Sequence, residues 1–165
     1  MQLRKVLVFT LTLCLLLSFG GIGAAQETGD SGNSLQEALG GIVDYYKANK
    51  TNLETWWQVV GLKEAGEDLS RSPWVLPDWK IDQLDEDSQP TDYAGIILGM
   101  IAAGMDPKDV EGRNLVDELA ALQNDDGSFG SWLHQTIWSV VALDKAGGNY
   151  DVNTKDTALN FLLSQ

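Results

Sequence analysis

The sequence is poor in the two side chains that most often build metal sites and covalent crosslinks. It contains a single cysteine, Cys14, and a single histidine, His134. One cysteine cannot form a disulfide within the chain, so stability must come from the burial of apolar side chains. With 165 residues the chain is long enough for one sizeable core, and we expect one domain or part of one.

Basic residues are also scarce. The chain has 11 of them against 24 acidic residues, which gives a formal net charge of −13. A charge this negative argues against binding to nucleic acid and to anionic membrane surfaces. It is typical of a solvated extracellular surface, and it does not name a partner.

The first 25 residues have the pattern of a secretory signal peptide. Two basic residues precede an almost wholly apolar run over residues 6–19, and Gly23 and Ala25 supply small residues before a cleavage site. We therefore predict cleavage between Ala25 and Gln26. A retained membrane anchor is the alternative, but the run is short for spanning a bilayer.

Removal of this segment changes the composition of the mature protein. Arg4, Lys5 and Cys14 leave with it and no acidic residue does, so the net charge falls from −13 to −15. The mature chain would begin with a flexible lead over residues 26–34, rich in Gly, Ser and Asp. We expect a protein that is secreted or held at the cell surface, with no membrane insertion once the signal is removed.

Three apolar segments share one shape and predict a repeat. Each is an apolar helix that ends in Ala-Gly, where the glycine suits the left-handed residue that follows a helix. The pairs begin at Ala65, Ala103 and Ala146, so the period is about 40 residues, which suits a repeat of two helices. The segments are 56–66, 93–104 and 137–147.

A second type of helix alternates with the first. Residues 114–123 and 156–165 are amphipathic at helical spacing, and residues 35–47 have the position of the equivalent helix in the first repeat. We predict an all-α fold of about three helical-hairpin repeats over residues 35–165. The Pro- and Trp-rich segment 70–90 is predicted to be a long loop with at most one short helix.

Side chains that commonly begin helices support these boundaries. Ser34 has Glu37 three residues later, and Thr51 has Glu54 at the same spacing. Thr91 and Asn153 are further predicted N-caps.

The segment Gln-Asn-Asp-Asp-Gly-Ser-Phe-Gly at 123–130 resembles the QW motif of squalene and terpene cyclases, whose repeats are related to those of protein prenyltransferase β-subunits. The resemblance implies part of an α/α toroid. It also implies a structural role, in which a glutamine bonds helix-end backbone groups and an aromatic ties neighbouring helix pairs together. The residues that match are Gln123, Asp126, Gly127 and Phe129, with Gln165 in the same place 42 positions after Gln123.

Residues 91–94, 103–107 and 112–116 are similar to secreted prenyltransferase-repeat proteins of Gram-positive bacteria. The helical domain of animal cobalamin carriers is a comparable barrel. These resemblances imply a surface or binding protein more than an enzyme. They also imply further repeats and further domains toward the C-terminus, so we expect the chain to be an N-terminal fragment.

The catalytic residues of the related enzymes have no match in this chain. The cyclases use an Asp-x-Asp-Asp cluster, and the nearest segment here, 85–88, ends in serine. Asp92 lies near the place of the family's acid but has no second Asp beside it, so a first-turn carboxylate favoured by the helix dipole is the simpler interpretation. His134 without a cysteine cannot supply the zinc set of the prenyltransferases, and no nucleophile-elbow pattern accompanies it. We predict no cofactor, no metal and no catalytic residue.

The turn at Asp125, Asp126 and Gly127 superficially matches a calcium loop. With Gly127 as the sixth position of an EF-hand, the first and last positions would be Leu122 and Leu133, and neither is a ligand. An EF-hand is excluded, and weak calcium binding at the turn stays open.

Four aromatic residues on the apolar helices are the predicted binding residues. Trp56, Trp57, Tyr93 and Trp138 would line the cavity of a toroid as a group, although each alone also suits core packing. The sequence leaves open which of Trp56 and Trp57 faces inward.

The hypothesis that follows is a non-catalytic secreted or cell-surface module. Its partner would be a small apolar or corrinoid-like ligand, or another molecule at the cell surface. Two alternatives stay open: the N-terminal part of an enzyme related to terpene cyclases or prenyltransferases, and a structural spacer.

Overall fold

The computed structural model describes residues 31–85, 87–147 and 152–165, without the side chains of residues 31–34 and 152–153. Within these ranges the chain forms six α-helices and one short 3-10 helix. The described ranges hold no β-strand, only three isolated bridges. The predicted all-α fold is therefore confirmed.

The N-terminal predictions mostly fall beyond this part of the chain. The signal peptide over residues 1–25, its cleavage site between Ala25 and Gln26, and residues 26–30 of the lead lie outside the described residues. From Gln36 to Gln165 the described residues belong to one compact unit. No helix within the described ranges is both long and apolar enough to cross a membrane.

The six helices lie at the predicted positions, with bounds that differ from the predicted ones by a few residues, and within the described residues no α-helix separates the first two helices of the Ala-Gly type. The helices are α1 (Ser31–Asn49), α2 (Trp56–Glu64), α3 (Pro90–Ala102), α4 (Leu115–Ala121), α5 (Leu133–Lys145) and α6 (Val152–Leu163), and the 3-10 helix is Ile81–Gln83.

The predicted N-caps are wrong. Helix α1 already begins at Ser31 and α6 at Val152, which places Ser34 and Asn153 inside these helices. Helix α2 has its N-cap at Thr55 rather than Thr51. Helix α3 begins at Pro90, before Thr91, because proline suits a first position whose N–H has no partner in the helix.

The three helices that end in Ala-Gly, α2, α3 and α5, contact one another in chain order. Helix α3 contacts α2 and α5. The amide of Gln135, at the start of α5, donates to the side-chain oxygen of Gln89, which precedes α3, at 2.9 Å. Near their other ends, the Lys108 ammonium reaches the carbonyl of Gly147 at 3.2 Å. Helices α3 and α5 therefore run in the same direction.

The glycines after these helices have the left-handed backbone predicted for them. The φ angles are +93° at Gly66, +78° at Gly104 and +59° at Gly147. A side chain at such a φ approaches the following carbonyl too closely, so glycine is the residue that lets the chain turn there.

The main core lies where α4 and α5 pack against α3. Its most deeply buried side chains include Ile97 and Met100 of α3, Leu115 of α4 and Leu143 of α5. Burying each of them contributes on the order of 1.5–3 kcal/mol before the cost of ordering the chain is counted. Helix α4 is held at its start by Asn114, whose side-chain oxygen accepts the backbone N–H groups of Val116 and Asp117.

The long segment before α3 is packed rather than loose. Trp74 is buried in a second, smaller core cluster with Val59 and Leu62 of α2. The Arg113 guanidinium donates to the backbone carbonyls of Ile81 at 2.6 Å and Leu84 at 3.2 Å. This fixes the 3-10 helix against the residues just before α4.

The turn between α4 and α5 is pressed against α6. The side-chain amide of Gln123 donates to the carbonyl of Gly127 in the turn at 3.1 Å and to that of Thr154 in α6 at 2.9 Å. Gly127 has a φ of +87°, and a Cβ placed on it would overlap the backbone carbonyl of Thr157. One turn thus links α4 and α5 to α6.

We predict that Gly127→Ala lowers the free energy of unfolding by about 2–5 kcal/mol, because an unfavourable φ and an overlap with α6 act together. Urea denaturation followed by circular dichroism measures the change.

Gly104→Ala is the matched control, since Gly104 has a similar φ of +78° but open space around the missing Cβ. Gly104→Ala should lower the free energy of unfolding only by the cost of the unfavourable φ, about 1–2 kcal/mol. Equal losses for the two variants would contradict a close contact between the turn and α6.

Candidate functional site

The first turn of α2 places two tryptophans at its surface. The Gln58 side-chain oxygen accepts the backbone N–H groups of Glu54 at 2.7 Å and Thr55 at 3.2 Å, which satisfies donors that the helix leaves free. This bond fixes where the helix begins. Trp56 and Trp57 follow directly, about 100° apart around the helix axis.

Two glycines of α3, Gly95 and Gly99, leave room for Trp56 to pack against this helix. A Cβ at Gly95 would overlap the Trp56 indole, and one at Gly99 would overlap the indole of Trp79 and approach Cβ of Trp56. The two glycines are four positions apart and therefore lie on one face of α3. Their lack of side chains lets both indoles rest on the backbone of the helix.

Trp138 of α5 completes an indole cluster, which we define as Trp56, Trp57 and Trp138. The rings of Trp56 and Trp57 stack, with centroids 3.6 Å apart and planes 25° apart. Trp138 meets Trp56 at 5.6 Å and Trp57 at 4.8 Å, with its plane nearly perpendicular to both. The perpendicular contacts of Trp138 are arrangements that aromatic pairs favour, whereas the short separation of Trp56 and Trp57 places their rings nearly face to face.

The three indoles differ in exposure. Trp56 and Trp138 are partly buried and pack against the main core. Trp57 keeps 52% of its surface exposed. The question the sequence left open is thus answered by the fold: Trp56 faces α3, and Trp57 faces solvent.

Tyr93, the fourth predicted binding residue, is not part of this cluster. It is 5% exposed and lies in the main core. Its hydroxyl is 3.5 Å from the carbonyl of Asp85, to which it donates. Burial raises the pKa of the Tyr93 phenol, and the Glu118 carboxylate adds to this rise. The sequence spacing is consistent with this separation. Tyr93 and Gly95 are two positions apart, so they face different sides of α3, and only Gly95 lies on the side that packs against Trp56.

Four of the five residues predicted to have a structural role lie together in the turn between α4 and α5. Gln123 joins the turn to α6 as described above, and Phe129 is fully buried in the main core. The backbone N–H of Phe129 donates to the hydroxyl of Thr136 in α5 at 2.9 Å. Gln165 is exposed, and its amide reaches only Phe161 and Ser164 of its own helix end.

Asp126 shapes the turn through Ser128. One carboxylate oxygen accepts the Ser128 hydroxyl at 2.6 Å and the Ser128 backbone N–H at 2.9 Å. These two bonds hold the pKa of Asp126 below its ordinary value of 3.8. The carboxylate therefore stabilises the turn in its charged form.

The acids considered for catalysis are bonded to backbone groups. Asp92 accepts the N–H of Gln89 at 2.8 Å, so it caps the start of α3 as Gln58 and Gln135 do for α2 and α5. Asp85 accepts the hydroxyl of Ser88 and the N–H of Asp87.

In the described part of the chain, no three His, Cys, Asp or Glu side chains lie close enough together to hold a metal ion. His134 is exposed in the first turn of α5.

Two features of the site region had no place in the sequence interpretation. Trp132, just before α5, is 69% exposed, the largest exposure of any aromatic residue in the described ranges. Arg113 forms a paired salt bridge with Glu118, at 2.6 Å and 3.0 Å, while also holding the long loop. The five-residue spacing of this pair carries no helical signal, because Arg113 precedes α4.

Comparison with known proteins gives no relative. No family model matches the chain, and no curated protein and no solved structure is similar enough to count as a match.

The charge on Asp126 leads to a prediction about pH. Its folded-state pKa is lowered, so its contribution is present above the unfolded value of 3.8 and is lost as the pH falls through the folded value. Asp126→Asn should be less stable than the wild type at pH 7, and the difference should shrink as the pH falls below about 4. Thermal unfolding over a pH series measures it.

Asp125→Asn is the matched control, since it removes one charge from the same turn and leaves both bonds to Ser128. If the two variants show the same dependence on pH, the bonds from Ser128 are not the cause of the effect.

Proposed function

We propose that the chain is a non-catalytic binding module of the secreted or cell-surface type, built from helical-hairpin repeats of the α/α-toroid kind. The equivalence of α2, α3 and α5 supports a repeat. All three end in Ala-Gly, and in each a side chain in the first turn accepts a backbone N–H from just before the helix. The predicted signal peptide supports export.

The observation that carries the proposal is the indole cluster. Trp57 is a large apolar residue that keeps about half of its surface, 52%, exposed to water. Its ring is held in place on Trp56 and Trp138, so little freedom is lost when a ligand stacks against it. A rigid, half-exposed indole suits a ligand that has an apolar surface.

The net charge of the chain limits the kinds of ligand that the indole cluster would bind. With 24 acidic and 11 basic residues, the chain disfavours anionic partners over neutral or cationic ones. We infer a small apolar or corrinoid-like ligand, or an apolar patch of a surface partner. No cofactor is part of this proposal.

A non-catalytic role agrees with the chemistry of the acids. The carboxylates of Asp92 and Asp85 both accept hydrogen bonds from backbone N–H groups. Both carboxylates therefore already hold the local backbone in place.

Thermal-shift measurements with long-chain isoprenoid alcohols, fatty alcohols and cobalamin test the proposal. We expect at least one of them to raise the melting temperature, since a ligand that binds only the folded state stabilises it. Trp57→Ala should weaken that ligand by about tenfold or more.

Trp132→Ala is the matched control, because it removes an equally large exposed indole that makes no ring contact with the cluster. It should leave the affinity unchanged. No shift with any ligand would count against small-molecule binding. Equal losses for Trp57→Ala and Trp132→Ala would count against the indole cluster as the site.

A further inference from the structure

An open groove lies away from the residues of the indole cluster. It runs between the turn at residues 124–131, the first residues of α5 and the end of α6, and its volume is about 630 Å³. This size falls within the range of small-molecule sites and is too small for a folded partner. Both polar and apolar side chains line it.

Trp132 lines the groove together with two other apolar residues, Leu133 and Phe161. The backbone N–H of Trp132 donates to the Gln135 side chain at 2.9 Å, and Gln135 is itself buried and bonded to Gln89. The backbone that carries the indole is therefore fixed, while 69% of the residue surface stays exposed. The face of an indole is electron-rich and attracts the weakly positive C–H groups of a flat ligand.

The polar part of the groove is rich in hydrogen-bond acceptors. Within the described residues, the Asp125 carboxylate has no hydrogen-bond or ion-pair partner. Asp126 uses one carboxylate oxygen, Oδ1, for both bonds to Ser128. The amide nitrogen of Asn124 is taken up by Ser128 and Gly130, which leaves its oxygen as an acceptor.

A ligand that fits this groove needs a flat face of C–H groups and an edge of hydroxyl donors. Pyranose rings have both, since their axial C–H groups form one face and their hydroxyls point outward around the ring. The carboxylates of Asp125 and Asp126 repel acidic sugars, and the net charge of −13 acts in the same direction.

We propose that this groove binds a neutral saccharide, with one sugar ring stacked on Trp132 and its hydroxyls bonded to Asp125 and Asn124. This is a second site, separate in its residues from the indole cluster. It goes beyond the proposed function and does not depend on the ligand of that cluster.

The test is isothermal titration of the full chain with cellohexaose, chitohexaose and maltohexaose. Hexagalacturonate and hexalysine serve as the acidic and the basic comparison. At least one neutral hexasaccharide should bind, and hexagalacturonate should bind at least about tenfold more weakly.

The variants separate stacking from hydrogen bonding. Trp132→Ala should weaken saccharide binding about tenfold or more, and Trp132→Phe should retain part of it because a ring remains. Asp125→Asn should weaken it about threefold to tenfold, since a hydroxyl bond to a charged acceptor becomes a neutral one. Trp57→Ala should bind the saccharide as the wild type does.

Three results would overturn the proposal. The first is no heat and no change in tryptophan fluorescence with any neutral hexasaccharide. The second is unchanged binding by Trp132→Ala. The third is hexalysine binding more tightly than the saccharides and without dependence on Trp132, which would mark the groove as a site for cationic peptides. Because Trp132 is exposed, its replacement should leave the melting temperature unchanged.

Discussion

The close approach of α2 and α3 is the constraint on which the rest of the structure depends. Gly95 and Gly99 have no side chains on the face toward α2, so Trp56 rests directly on the α3 backbone with Trp79 beside it. Helix α3 also carries Ile97 and Met100 into the main core with α4 and α5. A larger residue at either glycine would displace an indole and the helix to which it belongs.

The position of Trp56 determines the candidate site in turn. With Trp56 held against α3, its neighbour Trp57 stacks on it and faces outward, and Trp138 closes the group from α5. The cluster is thus a product of the packing of three helices and not of one segment. The same order of helices leaves Trp132 and the groove at another part of the surface.

Several acidic residues stabilise turns or a helix start, a role that the net charge of the chain does not reveal. Asp68, Asp106 and Asp126 each accept a backbone N–H two residues later in the chain, and Asp92 caps α3. Loops of this kind let a chain without disulfides hold its connections in defined shapes. Part of the negative charge therefore stabilises turns, and the rest, such as Asp125, faces solvent or a groove.

Local signals were sufficient for the elements of the fold. Helical spacing of apolar residues, Ala-Gly ends and the period of about 40 residues predict the helices, because each reports on a few neighbouring residues. Helix starts were misjudged where side chains such as Gln58 reach back from inside the helix. Only the tertiary structure decided that Tyr93 is buried while Trp57 is exposed, and that Trp132 lines a groove. Each of these outcomes depends on which helix packs against the side chain. Residues that meet in this way are tens of positions apart in the sequence, so local patterns do not reveal their contacts.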